Sequence, residues 1–280
     1  MEKLLIVDGS NLLFQMFYGM PTRITAPNGK AIQGTLGFIG ALLKILRRIS
    51  PSYAVVLFDG EHAIPRMELD ENYKANREDF SLLPEEETPF SQLPDIYRAL
   101  DHLGIRYAET VDCETDDWIA AYTFAYKDKM DMVISSFDSD FFQLIDEHVQ
   151  VLRYRGEKTV LCDIPYLQDK LGIRPSQYAD FKALTGDTAD NIRGADKIGP
   201  KTAAALLHRF GTLENLLQNI PLVEKPSIRQ SLQENATRLA RNYQLIHLSG
   251  NAPLPFPLDA LIYKDRGITT SQVLTAIGLR

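Results

Sequence analysis

Residues 3–8 read Lys3-Leu-Leu-Ile-Val-Asp8, a short apolar run that ends in an aspartate. Two later stretches have the same form, because Tyr53–Phe58 precedes Asp59 and the run that begins at Met132 precedes Asp138. Short apolar runs that end at a polar residue are typical of buried strands. The pattern therefore predicts three strands, each followed at once by a carboxylate.

Patterns typical of helices lie between these runs. Apolar residues recur in Leu36–Ile49 at the three- and four-residue spacing of one helix face. The further predicted elements are two strands, Ile105–Ala108 and Val149–Tyr154, and two helices, Pro94–Leu103 and Asp117–Tyr126. Strands that alternate with helices predict an α/β fold with a mainly parallel central sheet flanked by helices.

The pattern changes at about Ile164, after which only helices are predicted. These helices are Pro175–Leu184, Pro200–Phe210, Leu213–Asn219 and Ser227–His247. We therefore expect an α/β core over residues 1–175 and a helical region over residues 176–280. Within the core, Gly60–Phe90 is long, polar and poorly periodic, which is typical of a functional lid or a partly ordered insertion.

Composition excludes several classes of protein. Two cysteines, Cys113 and Cys162, cannot form a disulfide framework or a zinc motif, so we expect a reducing, cytoplasmic location. No apolar run approaches the ~18 residues of a membrane helix, and the run at the N terminus is too short for a signal peptide. The net charge of −7 does not exclude a nucleic-acid partner, because bound cations would screen acids that lie together.

Acidic residues carry the clearest chemical pattern. The carboxyl ends of parallel strands meet at one edge of a sheet, so Asp8, Asp59 and Asp138 are expected to lie close together. Two denser groups join them, Glu114-Thr-Asp-Asp117 and Asp138-Ser-Asp140. A further pair, Asp187 and Asp190, would share one face if the segment were helical.

Oxygen-only ligand sets suit hard cations such as Mg²⁺ or Mn²⁺. Two such ions about 3.5–4 Å apart can activate water and stabilise the leaving oxygen of a phosphodiester. The alternative is that each aspartate only caps a helix or forms a turn. That explanation is adequate for any single aspartate, but it does not readily explain why all nine carboxylates occur in this pattern.

Seven segments in this order resemble the bacterial and phage 5′-nuclease and flap-endonuclease family, which includes the N-terminal domain of bacterial DNA polymerase I. They are Ile6-Val-Asp-Gly-Ser-Asn11, Leu57-Phe-Asp59, Tyr73-Lys-Ala-Asn-Arg77, Cys113-Glu-Thr-Asp-Asp117, Ser136-Phe-Asp-Ser-Asp140, Leu184-Thr-Gly-Asp-Thr-Ala-Asp-Asn191 and Lys197-Ile-Gly-Pro-Lys-Thr-Ala203. The resemblance implies a structure-specific 5′ nuclease that hydrolyses DNA with two metal ions. At 280 residues a polymerase domain would not fit, which implies the stand-alone form; we also expect a monomer.

The resemblance also assigns residues to a two-ion site. One Mg²⁺ ion, for which Mn²⁺ could substitute, would be held by Asp8, Asp59, Glu114, Asp116 and Asp138. A second, looser site would be completed by Asp117, Asp140, Asp187 and Asp190.

Two DNA-binding elements are implied as well. A helical arch at about residues 60–92 would pass the free 5′ strand and grip it with Tyr73, Lys74 and Arg77, with Arg66 a further DNA contact. We expect Lys74 and Arg77 on one helix face and the ring of Tyr73 stacked on a base. A helix–three-turn–helix at about residues 190–211, in the family a potassium site, would hold duplex through Arg193, Gly194, Ile198, Gly199, Lys201 and Thr202.

Three positions depart from the family pattern: Gln15 replaces an arginine, Phe137 a glycine and Arg193 a proline. None removes a carboxylate. We expect Gln15 to weaken one catalytic contact, Phe137 to alter its loop or offer a stacking face, and Arg193 to add a charge close to the DNA. The principal alternative is a non-catalytic relative that binds branched DNA. A phosphatase that uses Asp8 as nucleophile is disfavoured because its usual second aspartate is Ser10 here. A topoisomerase-type metal domain would leave Asp8, Asp59 and Asp187 unexplained.

Overall fold

The computed structural model describes residues 2–20, 22–60, 66, 69–76, 80 and 83–280. Six strands form one sheet in the order β3-β2-β1-β4-β5-β6, parallel except for β6. The strands are β1 Lys3–Asp8, β2 Tyr53–Phe58, β3 Arg106–Glu109, β4 Asp131–Ser135, β5 Val149–Arg153 and β6 Val160–Cys162. Strand order reverses between β1 and β4, and ligands of open α/β sheets bind at such a point.

Helices cover both faces of this sheet. They are α1 Gly9–Gly19, α2 Gln33–Ile49, α3 Leu93–Leu103, α4 Thr115–Tyr126, α5 Ile164–Leu171, α6 Tyr178–Thr185, α7 Pro200–Phe210, α8 Leu213–Gln218, α9 Pro226–Ile246 and α10 Thr270–Ala276. None of the helices in the described ranges is long and apolar enough to cross a membrane.

The central strand β1 is buried on both faces, as a continuous apolar run requires. Leu5 and Val7 pack in the core that includes α2, α3 and α10. Leu4 and Ile6 point the other way, into a core shared with α4 and the helical region. Truncation of Leu4, Leu5 or Ile6 to alanine should cost about 2–5 kcal/mol of stability.

The fold class predicted from the sequence is confirmed, and the predicted strand and helix ends fall within a few residues of those observed. Several elements were not predicted, namely α1, α5, α10 and the edge strand β6. After Ile164 the chain also forms a short antiparallel hairpin, β7 Gly186–Asp187 with β8 Ile192–Arg193, so the expectation of helices alone is wrong there. The helix α10 packs against α2 and α3, although residues 176–280 were expected to form one helical region.

Candidate metal centre and nucleic-acid interface

Asp8 lies at the point where the strand order reverses. It is the last residue of β1 and the N-cap of α1, and its Oδ1 accepts a 2.9 Å hydrogen bond from the backbone of Asn11. Its Oδ2 accepts a 2.7 Å hydrogen bond from Ser136 Oγ, which follows β4. Pairing of β1 with β4 in parallel register brings these two segments together. The carboxylate is therefore fixed in place and only 5% exposed.

Asp59 and Asp138 follow the strands on either side of β1. Asp59 Oδ1 accepts a 3.0 Å bond from the backbone of Thr115, while its own N–H donates to Ser10 Oγ at 2.8 Å. Asp138 donates its backbone N–H to Ser136 Oγ at 3.0 Å. Ser136 thus links Asp8 to Asp138.

The first acidic cluster is made up of Asp8, Asp59, Glu114, Asp116 and Asp138. Burial and neighbouring negative charges raise the pKa of two of its members. Burial, then Asp59, raise the pKa of Asp8 to about 7. Burial, then Asp138, raise the pKa of Asp116 well above its usual value. Carboxyl groups that resist ionisation in this way are stabilised as anions by a nearby cation.

Glu114 contacts several polar side chains. It caps α4 and forms a capping box with Asp117. Its Oε1 lies 2.7 Å from Lys74 Nζ, and its Oε2 accepts bonds from Arg66 and, at 3.3 Å, from the hydroxyl of Tyr73. Three side chains expected to meet DNA therefore contact a predicted metal ligand in this structure.

The segment that carries Lys74 is a turn, not the helix expected for it. Residues 71–76 are turns, and Lys74 has a φ of 57°. The ring of Tyr73 is only 4% exposed, so in this conformation it offers no face to a base. Lys74 Nζ lies 4.8 Å from the centroid of that ring. Arg77, the remaining arch residue, lies outside the described residues.

A second chain segment holds this turn in place. The backbone N–H of Lys74 donates to Asp190 O at 3.0 Å, and Asn76 Nδ2 donates to Thr188 O at 2.9 Å. In return, Asn191 Nδ2 donates to Asn72 O at 2.8 Å. The 72–76 and 188–191 turns are thus fastened to each other.

The 188–191 turn contains Asp190, which belongs to a second acidic cluster. Carboxylate oxygens of Asp140, Asp187 and Asp190 all lie within 4.8 Å of one another, the one such group of three among the described residues. The aspartates are not on a common helix face as expected, because α6 ends at Thr185 and Gly186 has a φ of 82°. The carboxylates of the first cluster are spaced more widely.

Asp117 does not take its expected place in this second cluster. Its Oδ1 lies 2.7 Å from Nη2 of Arg66, and its Oδ2 accepts a 3.2 Å bond from the backbone of Glu114. The capping box of α4 therefore accounts for its position. Its contacts in the structure are with the first cluster.

Lys182 is the residue that the sequence reasoning missed. Its ammonium group forms ion pairs with both Asp140 and Asp187. Burial alone would lower the pKa of Lys182, but Asp140 and then other neighbours raise it above the usual value. Burial tends to raise the pKa of Asp187, yet Lys182 and hydrogen bonds lower it. The sequence did offer one indication of this role, because Lys182 is the only lysine in a predicted helix whose other residues are mostly apolar.

The residues predicted to hold duplex in the helix–three-turn–helix, here called the duplex-binding hairpin, fall into two groups, one around the start of α7 and one engaged within the protein. Gly199, Lys201 and Thr202 surround the start of α7, where Gly199 is the N-cap and Pro200 opens the helix. Gly199 and Lys201 are exposed. First-turn N–H groups lack acceptors within a helix and can bind a phosphate. This end of the hairpin has the chemistry expected of a backbone-binding surface.

The other hairpin residues are engaged within the protein. Ile198 is 4% exposed and belongs to the core. A Cβ on Gly194 would lie 2.3 Å from the carbonyl carbon of Thr185, so only glycine fits, and its carbonyl accepts a 2.9 Å bond from Arg238. Arg193 is exposed and pairs with Asp196 at 3.0 Å.

Gln15 and Phe137 line a cavity of about 410 Å³ together with Met16, Met20 and Tyr154. Gln15 Nε2 donates to Tyr154 O at 2.8 Å. The backbone N–H of Phe137 donates to Asn11 Oδ1 at 3.0 Å, and Arg153 stacks 5.2 Å from its ring centroid. The unusual aromatic residue is therefore a fixed wall of this cavity.

Known proteins share this fold. T5 5′-exonuclease with bound zinc superposes with a TM-score of 0.72 at 24% identity, over 88% of this chain and 89% of that one. The catalytic core of Rad2 in complex with a DNA substrate gives a TM-score of 0.60 at 17% identity, over 99% and 93% of the two chains.

Sequence relatives include DNA polymerase I of Lactococcus lactis subsp. cremoris (strain MG1363), 33% identical over an alignment of 280 positions that covers 95% of this chain and 31% of that protein. The thermostable DNA polymerase I of Thermus filiformis is 35% identical over 261 residues, 93% of this chain and 30% of that protein. The chain thus matches less than a third of the length of these relatives.

Two family models divide the sequence between them. The N-terminal resolvase-like domain of 5′-3′ exonucleases matches residues 3–172, and the C-terminal SAM fold of 5′-3′ exonucleases matches residues 173–267. The resemblance inferred from the motifs is thereby confirmed. Since the two models cover nearly every residue, the chain belongs to the 5′-3′ exonuclease family.

Proposed function

We propose that the protein is a structure-specific 5′ nuclease that hydrolyses DNA phosphodiester bonds near a free 5′ end, at flaps or branched junctions. One observation carries the proposal: carboxylates gather where the strand order reverses, and burial and neighbouring acids raise the pKa of two of them, Asp8 and Asp116. Asp8, whose pKa is raised to about 7, is the clearest case. Such a group gains most from a bound cation, and a cation beside a phosphodiester supplies hydrolytic chemistry.

The donor set fits a hard divalent cation. Asp8, Asp59, Asp116 and Asp138, with Glu114, offer oxygen ligands only, which suits Mg²⁺ and, in its place, Mn²⁺. When bound, such an ion withdraws charge from a phosphate and makes water a better nucleophile. Zinc bound to T5 5′-exonuclease supports metal binding at this fold. Asp140, Asp187 and Asp190 would hold a second ion.

The cationic side chains at Glu114 would position the substrate. Lys74 and Arg66 lie against the acidic cluster in this structure. If an incoming metal ion binds the Glu114 carboxylate, Lys74 and Arg66 are released from it. Both side chains can then bind the oxygens of a phosphate in the site. Correct placement of the reacting group contributes strongly to rate. We assign Lys74 to this role and keep Arg77 with it as a prediction from the sequence.

The start of α7 would hold intact duplex. Backbone N–H groups at Lys201 and Thr202 and the Lys201 ammonium contact phosphate without reading bases. Arg193 adds a further charge on the same hairpin. A potassium ion there remains a prediction, because two hairpin carbonyls, those of Gly194 and Asp196, already accept bonds from Arg238 and Ser231.

A cleavage assay tests the proposal against the alternative of a non-catalytic DNA-binding relative. The substrates are a 5′ flap, the matching blunt duplex and the free single strand, each with Mg²⁺ or with chelator. We expect cleavage near the branch of the flap with Mg²⁺ alone, and its loss in Asp138→Asn with flap binding retained. The matched control is Asp163→Asn, which caps α5 after another strand.

Two outcomes would decide against a nuclease. Binding of the flap without any cleavage in Mg²⁺ or Mn²⁺ would favour the non-catalytic relative. Cleavage that persists in Asp138→Asn would exclude the proposed ligand set. The monomeric state and the cytoplasmic location expected from the sequence stay predictions.

A further inference from the structure

Lys182 lies in a part of the fold where a lysine is not expected. Its side chain is 8% exposed, and its neighbours on α6, Phe181, Ala183 and Leu184, are buried. Water cannot solvate an ammonium group in that position, so opposite charges must stabilise it. The residue is therefore held by specific partners and is not a mobile surface cation.

Those partners are members of the second acidic cluster. Lys182 Nζ contacts Asp140 Oδ1 and Asp187 Oδ2. Oxygens of the same two carboxylates lie within 4.8 Å of each other and of Asp190. Asp140 follows β4, whereas Asp187 and Asp190 belong to the β7–β8 hairpin. The ammonium group thus joins separate segments in the way that a coordinated ion would.

We propose that Lys182 is the resident cation of the second acidic cluster, and that a divalent ion enters this cluster by displacing the ammonium group from Asp140 and Asp187. The inference rests on the proposed function only in assuming that the cluster takes up an ion. Lysine and ion compete because they use the same oxygens. A positive charge at this distance also repels an incoming cation.

The two acidic clusters should consequently fill in order. In the first cluster Asp8 accepts hydrogen bonds from the uncharged donors Asn11 and Ser136. Lys74 and Arg66 contact Glu114 of that cluster, but an ion can bind the Asp8 oxygens without expelling a cation from them. In the second cluster each binding event must also release Lys182. We therefore expect one stronger and one weaker class of ion site, with Lys182 setting the difference.

Ion counting on the full chain without DNA tests this order. Free Mn²⁺ is measured by electron paramagnetic resonance during titration of the parent protein, Lys182→Met and Lys170→Met. Lys170 is an exposed lysine on α5 and serves as the matched control. We expect Lys182→Met to tighten the weaker class by about tenfold or more, with Lys170→Met unchanged. The proposal would be overturned if Lys182→Met left the Mn²⁺ affinity of the weaker class unchanged, or if neither the parent nor Lys182→Met showed a second class of site.

A second measurement uses the unaltered protein, in case Lys182→Met does not fold. Lysine ammonium signals are recorded by ¹⁵N nuclear magnetic resonance, and that of Lys182 is assigned by its absence in Lys182→Arg. We expect a slowly exchanging signal in chelator that is lost as Mg²⁺ fills the weaker site. A signal that persists after the second ion has bound would refute displacement. Neither measurement requires cleavage, so a chain that shows displacement but cuts no DNA would fail only the proposed function.

Discussion

Neutralising Asp8 should stabilise the metal-free protein at alkaline pH. Burial and Asp59 raise the pKa of Asp8 from 3.8 to about 7 in the folded chain. Between these values the folded protein holds a proton that the unfolded chain has released, so stability falls as pH rises from about 4 to about 7. At about 1.4 kcal/mol per unit, the shift corresponds to about 4 kcal/mol at pH 8.

The substitution Asp8→Asn removes this cost while keeping the shape of the side chain. Its amide oxygen can still accept the bond from Asn11, while the bond with Ser136 must reverse or be lost, at about 1 kcal/mol. We therefore expect Asp8→Asn to be more stable than the parent by about 2–4 kcal/mol at pH 8 in chelator. Near pH 4 the two proteins should be almost equal.

Urea unfolding followed by circular dichroism measures the difference. Each protein is unfolded at several pH values from 4 to 8 in chelator, and again at pH 8 with saturating Mg²⁺. Mg²⁺ should stabilise the parent far more than Asp8→Asn, with Asp163→Asn behaving like the parent. A variant that is less stable than the parent at pH 8 in chelator would refute the argument that repulsion and burial strain this carboxylate.

Three further substitutions separate chemistry, positioning and binding. Asp116→Asn should slow single-turnover cleavage by more than about 100-fold at unchanged flap affinity; a loss of affinity alone would count against its role as a ligand. Lys74→Ala should slow the same step by about 10²-fold, with partial recovery in Lys74→Arg, and a parental rate at saturation would remove Lys74 from the site. Lys201→Ala should weaken binding equally across flap sequences and lower the salt slope by about 1 unit, unlike Lys170→Ala. Weakening confined to particular sequences would contradict phosphate contact there.

The strands β1, β2 and β4 could be predicted because they are buried on both faces and therefore appear as continuous apolar runs. Helix α1 was missed because it begins at Gly9, immediately after β1, with no linker to separate the two patterns. Strand β6 has only three residues, Val160–Cys162, too few for a periodic pattern. The β7–β8 hairpin was missed because the spacing of Asp187 and Asp190 fits either a turn or a helix.

The carboxylates of the site could be listed from the sequence because strand order brings strand ends together whatever the side chains do. Their partners could not. The contact of Lys182 with Asp140 joins residues 42 positions apart, and that of Lys74 with Glu114 spans 40 positions. Both depend on how α6 and the 72–76 turn dock on the sheet edge. No local sequence pattern encodes that docking. The sequence therefore could not show which cationic side chain contacts which acidic cluster.

The central claim is that the first acidic cluster holds the ion that makes DNA cleavage possible. A rapid-mixing experiment tests it most directly: the protein is bound to a 5′-flap substrate in chelator, and excess Mg²⁺ is then added. We predict no product before Mg²⁺ and a single exponential of cleavage near the branch after it, absent in Asp8→Asn. Product in chelator, or an equal rate in Asp8→Asn, would contradict the account.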